Sequence, residues 1–362
     1  MKKILPLLLA LLLLLSGCGR RGETAADPAR ETPAGTESSP EDGAGSGEAP
    51  LALDLLRVEI CRSGLDAGRL MEAVRELPEL LRTVLAEQQD IAADAVQVTM
   101  GSSPAATVQA LEEGTVDLAI LPAEGFAGQE TEAEVLLASG PDAGDSPLWM
   151  DGDWGVYASL WTAPTDYGIN LASRVGKEGD LPSWAEMDRA RWGLLGEDSL
   201  PGRRAVDLWL ADHYEGRTTA DLSRLTVYQD FPALRAAAEA GEIDVFLQDG
   251  AGEADLPPES SLRLGETERF YDMVLAVSPR QEALPDPARN LRDALMFTLT
   301  QLCFYDGTQT CVDGTPAFPC GGYDRETRQL CQDVFGSGRY GWAENEDLDA
   351  ARRLLALEGR GD

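Results

Sequence analysis

Histidine is nearly absent from this sequence: His213 is the only one. It falls beside Tyr214 at the end of a helical stretch, remote from any serine or cysteine pattern, so a histidine-based triad or a histidine-rich metal site is not available. There is no Gly-x-x-x-x-Gly-Lys loop and no Gly-x-Gly-x-x-Gly after a strand, which removes the common nucleotide cradles. No Cys-x-x-Cys pair occurs, which argues against a zinc site. Basic residues are scarce, 30 against 63 acidic, for a net charge of −33. Nucleic acid is therefore not expected as a partner, since a phosphate backbone selects the opposite sign. A small anion is not excluded, because a local cradle outweighs distant screened charge. No cofactor is expected, and a paired-carboxylate hydrolase has no motif to mark it.

Long apolar runs are also lacking, with one exception. After Lys2 and Lys3, Ile4 to Leu15 is almost unbrokenly apolar. At about twelve residues it is too short to cross a bilayer and suits the apolar part of a secretory signal. It closes on Leu15-Ser16-Gly17-Cys18, which resembles the lipobox of a bacterial lipoprotein. The resemblance implies residues 1–17 as a signal peptide, cleavage before Cys18, a lipid on its sulfur, and a protein held at the extracytoplasmic face of the cell membrane. Residues 19–50 carry no aliphatic side chain larger than alanine. Such a segment buries too little to offset its ordering entropy and reads as a disordered tether, with a reach of roughly 30 Å.

Five further cysteines follow: Cys61, Cys303, Cys311, Cys320 and Cys331. The last four are clustered, and outside the cytoplasm they suggest one or two disulfides, with free thiols or a metal as alternatives. Cys61 ends a predicted strand and reads as a buried thiol.

From residue 51 the pattern alternates. Leu56 to Ile60 reads as a strand, and Asp66 to Gln88 as a helix interrupted at Pro78. Ala95 to Met100 is a strand, Pro104 to Glu113 a helix, and Val116 to Leu121 a strand. The order recurs with strands at Val156–Thr162, Ala190–Leu195, Leu225–Tyr228 and Ile243–Leu247, and helices at Pro201–His213 and Pro232–Ala240. Strand–helix alternation predicts parallel sheets covered by helices. Two stretches share one grammar: a helix end, a glycine cap at Gly114 or Gly241, then a strand with Asp117 or Asp244 at its second position.

The stretches RVEICRSGLDAGRLMEAVRELPELLRTVLAEQ, VQVTMGSSPAATVQALEEGTVDLAILPAEGF, RWGLLGEDSLPGRRAVDLWL and FPALRAAAEAGEIDVFLQD carry a resemblance. Their order resembles the solute-binding proteins of phosphate/phosphite/phosphonate-type ABC importers, within the type II periplasmic-binding-protein fold. The resemblance implies an α/β chain of two lobes, each a mostly parallel sheet flanked by helices, joined by two crossover strands. Lobe 1 takes residues 51–155 and 272–362, and lobe 2 takes 156–271. It implies a monomer that binds a small phosphonate- or phosphate-like ligand in the interlobe cleft, does no chemistry on it, and delivers it to a membrane permease. A ligand-sensing adaptor for a membrane receptor and a diverged binder of a non-phosphorylated molecule are the alternatives.

In such lobes the loops after the strands face the cleft, and a helix N-terminus seats an oxyanion. Ser102 and Ser103 join the second strand to its helix, and Ser199 stands where the family has a hydroxyl-rich phosphoryl-binding loop. Each serine can instead be a helix cap. Arg203 and Arg204 either pair with nearby acids or reach an anion. Glu124 and Asp249, in loops after strands, are placed to accept hydrogen bonds from a ligand ammonium or protonated oxygen. Asp230-Phe231 stands where relatives have a Ser-His pair. Trp154, Tyr157, Trp161, Tyr167 and Trp184 offer either an aromatic wall or packing.

Overall fold

The chain's alternation of strands and helices builds two separate sheets rather than one. The computed structural model describes residues 51–62, 67–140, 155–178, 181–250, 258–280, 291–304, 334 and 340–359. The signal peptide, Cys18, the tether, Trp154, Cys311, Cys320, Cys331 and the side chain of Cys303 lie outside the described residues.

The first sheet begins with β1 (Leu51–Ile60), whose Leu56, Val58 and Ile60 alternate onto one buried face. Helix α1 (Ala67–Gln89) covers that face with Leu77, Leu81, Val84 and Leu85. It is one continuous helix with Pro78 inside it, which corrects the expected break. Proline removes one helical hydrogen bond, but fully buried Leu77 and Leu81 flank it, and their packing holds the helix axis across the gap. Strand β2 (Ile91–Met100), helix α2 (Pro104–Glu113), strand β3 (Leu118–Pro122), the short helix α3 (Ala123–Ala127) and strand β4 (Glu134–Ser139) follow.

The chain then enters the second sheet with β5 (Ala158–Thr162). Helices α4 (Asp166–Glu178) and α5 (Trp184–Arg189) precede β6 (Trp192–Leu194). A π-helical turn, Leu200–Arg204, leads into α6 (Ala205–His213). Then come β7 (Leu225–Val227), α7 (Phe231–Glu239), β8 (Val245–Asp249) and β9 (Arg263–Glu266). The chain returns through β10 (Met273–Val277), α8 (Leu291–Phe304), β11 (Tyr340–Trp342) and the C-terminal α9 (Asp349–Glu358).

The sheet orders are β11-β4-β10-β3-β1-β2 and β7-β6-β8-β5-β9. Apart from β11 they follow one plan. The first strand is parallel to the second and third, and an antiparallel strand is inserted beside the third. In each sheet the inserted strand, β10 or β5, is the first one after the chain arrives from the other sheet. The two crossings pair with each other at Val156 and Phe270, through mutual backbone hydrogen bonds of 2.6 and 2.9 Å. This is the α/β architecture of two sheets with two crossover strands that the sequence led us to expect, each sheet being mixed, with a parallel group of three strands extended by antiparallel pairings.

The repeated Gly-x-x-Asp grammar has a shared physical purpose. Gly114 and Gly241 end their helices at φ 71° and 70°, a conformation glycine enters without a Cβ penalty. Asp117 and Asp244 lie one residue before their strands rather than inside them, a correction of the predicted register. Asp117 accepts from Arg57 Nε at 3.0 Å and Nη2 at 2.6 Å, and from its backbone N at 2.8 Å. Asp244 accepts from the same three atoms of Arg191, at 2.9, 2.7 and 2.9 Å. Each buried carboxylate is thus clamped by an arginine of the neighbouring chain segment, Arg57 within β1 and Arg191 just before β6, in the bidentate geometry that satisfies it best.

Candidate functional site

The two lobes meet where the chain enters α6. Ser199 accepts a hydrogen bond from the Gly202 N at 3.2 Å, and its carbonyl takes the N–H groups of both Arg203 (2.9 Å) and Arg204 (3.1 Å). Pro201 has no N–H to offer. The helix-start amides are therefore occupied within the turn, and the expected amide cradle for an oxyanion does not form around Ser199. A π-turn of this kind widens the backbone by one residue per bond and is frequent at functional sites. Here it sends its two adjacent arginines in different directions.

Arg204 bridges the lobes. Its Nη1 is 2.8 Å from Glu124 Oε1 of α3, and its Nε and Nη2 hold Glu358 at 2.7 and 3.0 Å. The Glu358 contact, followed by that with Glu124, raises the guanidinium's affinity for its proton against the opposing effect of burial. Among the described residues Arg203 has no such partners. It is 8% exposed, and its Nη1 is buried without a hydrogen-bond partner. A buried guanidinium nitrogen left unpaired is destabilising, and it is the group in this region best suited to receive an anion.

The structure connects several of the expected site residues. A side chain on Gly125 would meet Pro104 at 2.6 Å, so the starts of α2 and α3 touch. Ser103, Glu124, Ser199 and Arg203 therefore belong to one chain of contacts running through Pro104–Gly125 and Glu124–Arg204. Ser103 caps α2, accepting from Ala106 N at 3.2 Å, and Ser102 beside it is exposed. Asp230 is apart from them: it is exposed and caps α7 through Ala233 N at 2.8 Å. Asp249 ends β8 opposite Ala158 and leads into Gly250, whose N–H bonds the Tyr157 carbonyl at 3.0 Å.

Tyr157 is the aromatic residue at the crossover. The Arg269 guanidinium lies 4.4 Å over its ring, a cation–π contact that the sequence did not signal. Tyr271 lies with Arg269 on the returning crossing, and burial pushes its hydroxyl up to about 12. Trp161, Tyr167 and Trp184 pack against the core of the second lobe. His213 stacks on Trp209 at 4.6 Å, with Nδ1 2.7 Å from the Trp209 carbonyl. Cys61 is buried and free, and burial pushes its thiol up, away from nucleophilic use. Among the described residues, no group of three or more His, Cys, Asp or Glu is placed to hold a metal ion. Among the same residues no helix is long and apolar enough to cross a membrane.

No protein-family model matches this chain, and no curated protein matches it. Among solved structures, it is similar to a protein from Xanthomonas citri bound to ATP, at 13% identity over 86% of this chain and 100% of that one, with a TM-score of 0.41. A binding-protein component of an ABC phosphonate transporter from Pseudomonas aeruginosa is similar at 12% identity over 85% and 87%, with a TM-score of 0.35. PhnD1 from Prochlorococcus marinus in complex with methylphosphonate is similar at 12% over 85% and 99%, with a TM-score of 0.37. Identities and scores this low say nothing of a shared ligand, and the fold is read from the chain's own strand order.

Proposed function

We propose that this chain is the solute-binding subunit of an ABC importer, which holds a small phosphonate- or phosphate-like anion between its lobes and performs no chemistry on it. The observation that carries the reading is the buried, unpartnered Nη1 of Arg203 at the junction of two similarly built lobes. A single guanidinium fixed in a water-poor setting binds an oxyanion more strongly than the same group in bulk water. It also answers the chain's overall negative charge locally. In this reading Ser103, Ser199 and Glu124, which share the contact chain with Arg203, complete the site, Ser102 and Asp249 contribute from the adjoining loops, and Asp230, which stands apart from that chain, is left as a helix cap.

The proposal includes anchoring. Cleavage before Cys18 and lipidation of its sulfur would hold the two lobes, 51–155 with 272–362 and 156–271, outside the membrane on the tether of residues 19–50. The permease is then the partner of the closed, loaded form. The test is a thermal-shift screen of the full mature chain against inorganic phosphate, methylphosphonate and small carboxylates. A ligand at a hundred times its Kd stabilises by about 2.7 kcal/mol, which a melting curve resolves. Stabilisation by one anion class and recovery of that compound unchanged support the reading. Turnover of the compound, or no response to any anion, overturns it.

A further inference from the structure

Helix α9 is the last element of the first lobe, and α6 belongs to the second. They run antiparallel and are pinned at two points. Ahead of α6, Arg204 pairs with Glu358 at the far end of α9 (2.7 and 3.0 Å) and with Glu124 of α3 (2.8 Å). Near the end of α6, Asp212 pairs with Arg353 from the middle of α9, and Arg353 also holds Glu268 of the returning crossover at 3.1 Å. Between the pins α6 divides its apolar residues. Val206, Trp209 and Leu210 enter the core of its own lobe. Ala205 and Leu208 enter the first lobe's cluster beside Phe126 and Leu354. That second contact is small, and a surface groove of about 440 Å³, open to solvent, runs along the seam by Leu208, Ala211 and Leu357.

We infer that α9 is a strap that fastens the second lobe to the first, and that Arg204 and Arg353 set how readily the lobes part. The two arginines each bridge two carboxylates. Small apolar contact and charged pins together make a fastening that releases without unfolding either core. Arg204 is the more shielded pin, with its side chain 22% exposed against 44% for Arg353, so salt weakens the Arg353 end first.

The test needs no ligand, so it stands apart from the solute-binding reading. Hydrogen–deuterium exchange is followed on the full mature chain and on an Arg204→Gln/Arg353→Gln variant. In parallel, energy transfer is measured between dyes on unnatural residues at Glu130 and Thr226, one in each lobe. The variant is expected to exchange faster in 123–127, 200–213 and 349–358 with unchanged protection in β3 and β8, and to show a longer mean interlobe distance. Raising salt from 0.1 M to 1 M, which shortens the screening length from about 10 Å to about 3 Å, is expected to move the unmodified chain the same way. If the variant does not fold, the salt series on the unmodified chain decides. Unchanged exchange along the seam and an unchanged dye distance at high salt overturn the inference, as does faster exchange spread evenly through both sheets.

Discussion

Replacing Arg203 with methionine separates a binding role from a structural one, because the two predict opposite signs. Methionine keeps much of the side-chain length, fills irregular space and carries no charge. Arg203 is 8% exposed and its Nη1 has no partner among the described residues. An unsatisfied buried donor costs about 1–3 kcal/mol, and Arg203→Met removes it. The unliganded variant should therefore melt no lower than the parent, and as much as that amount more stably. Binding should move the other way. A hydrogen bond to a charged group contributes about 1.5–3 kcal/mol, equivalent to roughly ten- to more than a hundredfold in Kd. Titration calorimetry against whichever anion gives the largest thermal shift, on both proteins, supplies the affinities. Arg203→Lys retains the charge without the planar fork and should fall between them. A variant that melts several degrees lower while binding unchanged would refute the assignment, since that outcome is the mark of a packing residue.

Ser199→Ala removes the acceptor of the Gly202 N–H and should lower stability by about 1 kcal/mol. The surrounding amides bond within the turn, so its effect on Kd should be smaller than that of Arg203→Met. Asp244 titrates below the ordinary carboxylate value: burial alone would raise it, but hydrogen bonds from Arg191 and Thr165 outweigh burial. A carboxyl depressed in the fold stabilises it above the unfolded value of about 3.9, and that contribution is lost as pH falls further through the folded value. Asp244→Asn should accordingly lower denaturant stability at pH 7 by about 1.5–3 kcal/mol and flatten the loss of stability below about pH 4; equal slopes in parent and variant would count against the clamp. Cys18→Ala should abolish metabolic lipid labelling and leave an uncleaved or mislocalised precursor, and a variant still lipidated would end the lipobox reading. Thiol counting on the denatured, unreduced mature chain should find fewer than five free thiols besides the lipidated Cys18, reflecting a disulfide among Cys303, Cys311, Cys320 and Cys331.

Much of the fold was legible because it rests on local signals. Apolar alternation in Leu56, Val58 and Ile60, helical spacing in Leu77, Leu81 and Leu85, and glycine caps at Gly114 and Gly241 are each decided within a few residues of chain. Ser103 and Ser199 were readable as caps for the same reason, whereas the cap at Asp230 emerged only from the structure. Pro78 misled because its local preference is to break a helix, and the packing of its neighbours overrode that preference. The repeat of Asp117 and Asp244 was visible, but not its meaning, since the arginine partners lie 60 and 53 residues away.

The sequence by itself determined the class of the fold, two tandem α/β units with helices and strands placed by periodicity and caps, and the acidic balance of the chain. Only the tertiary structure decided how the units join. It inserted β5 and β10 as the antiparallel strand of the sheet the chain had just entered, and it paired the crossings at Val156 and Phe270. It also distinguished two adjacent arginines that are chemically equivalent in the sequence. Arg204 meets Glu124 and Glu358, which are distant along the chain, while Arg203 is buried and its Nη1 meets no partner among the described residues. No local rule separates them, because the difference arises from which long-range neighbours the π-turn aims each side chain towards.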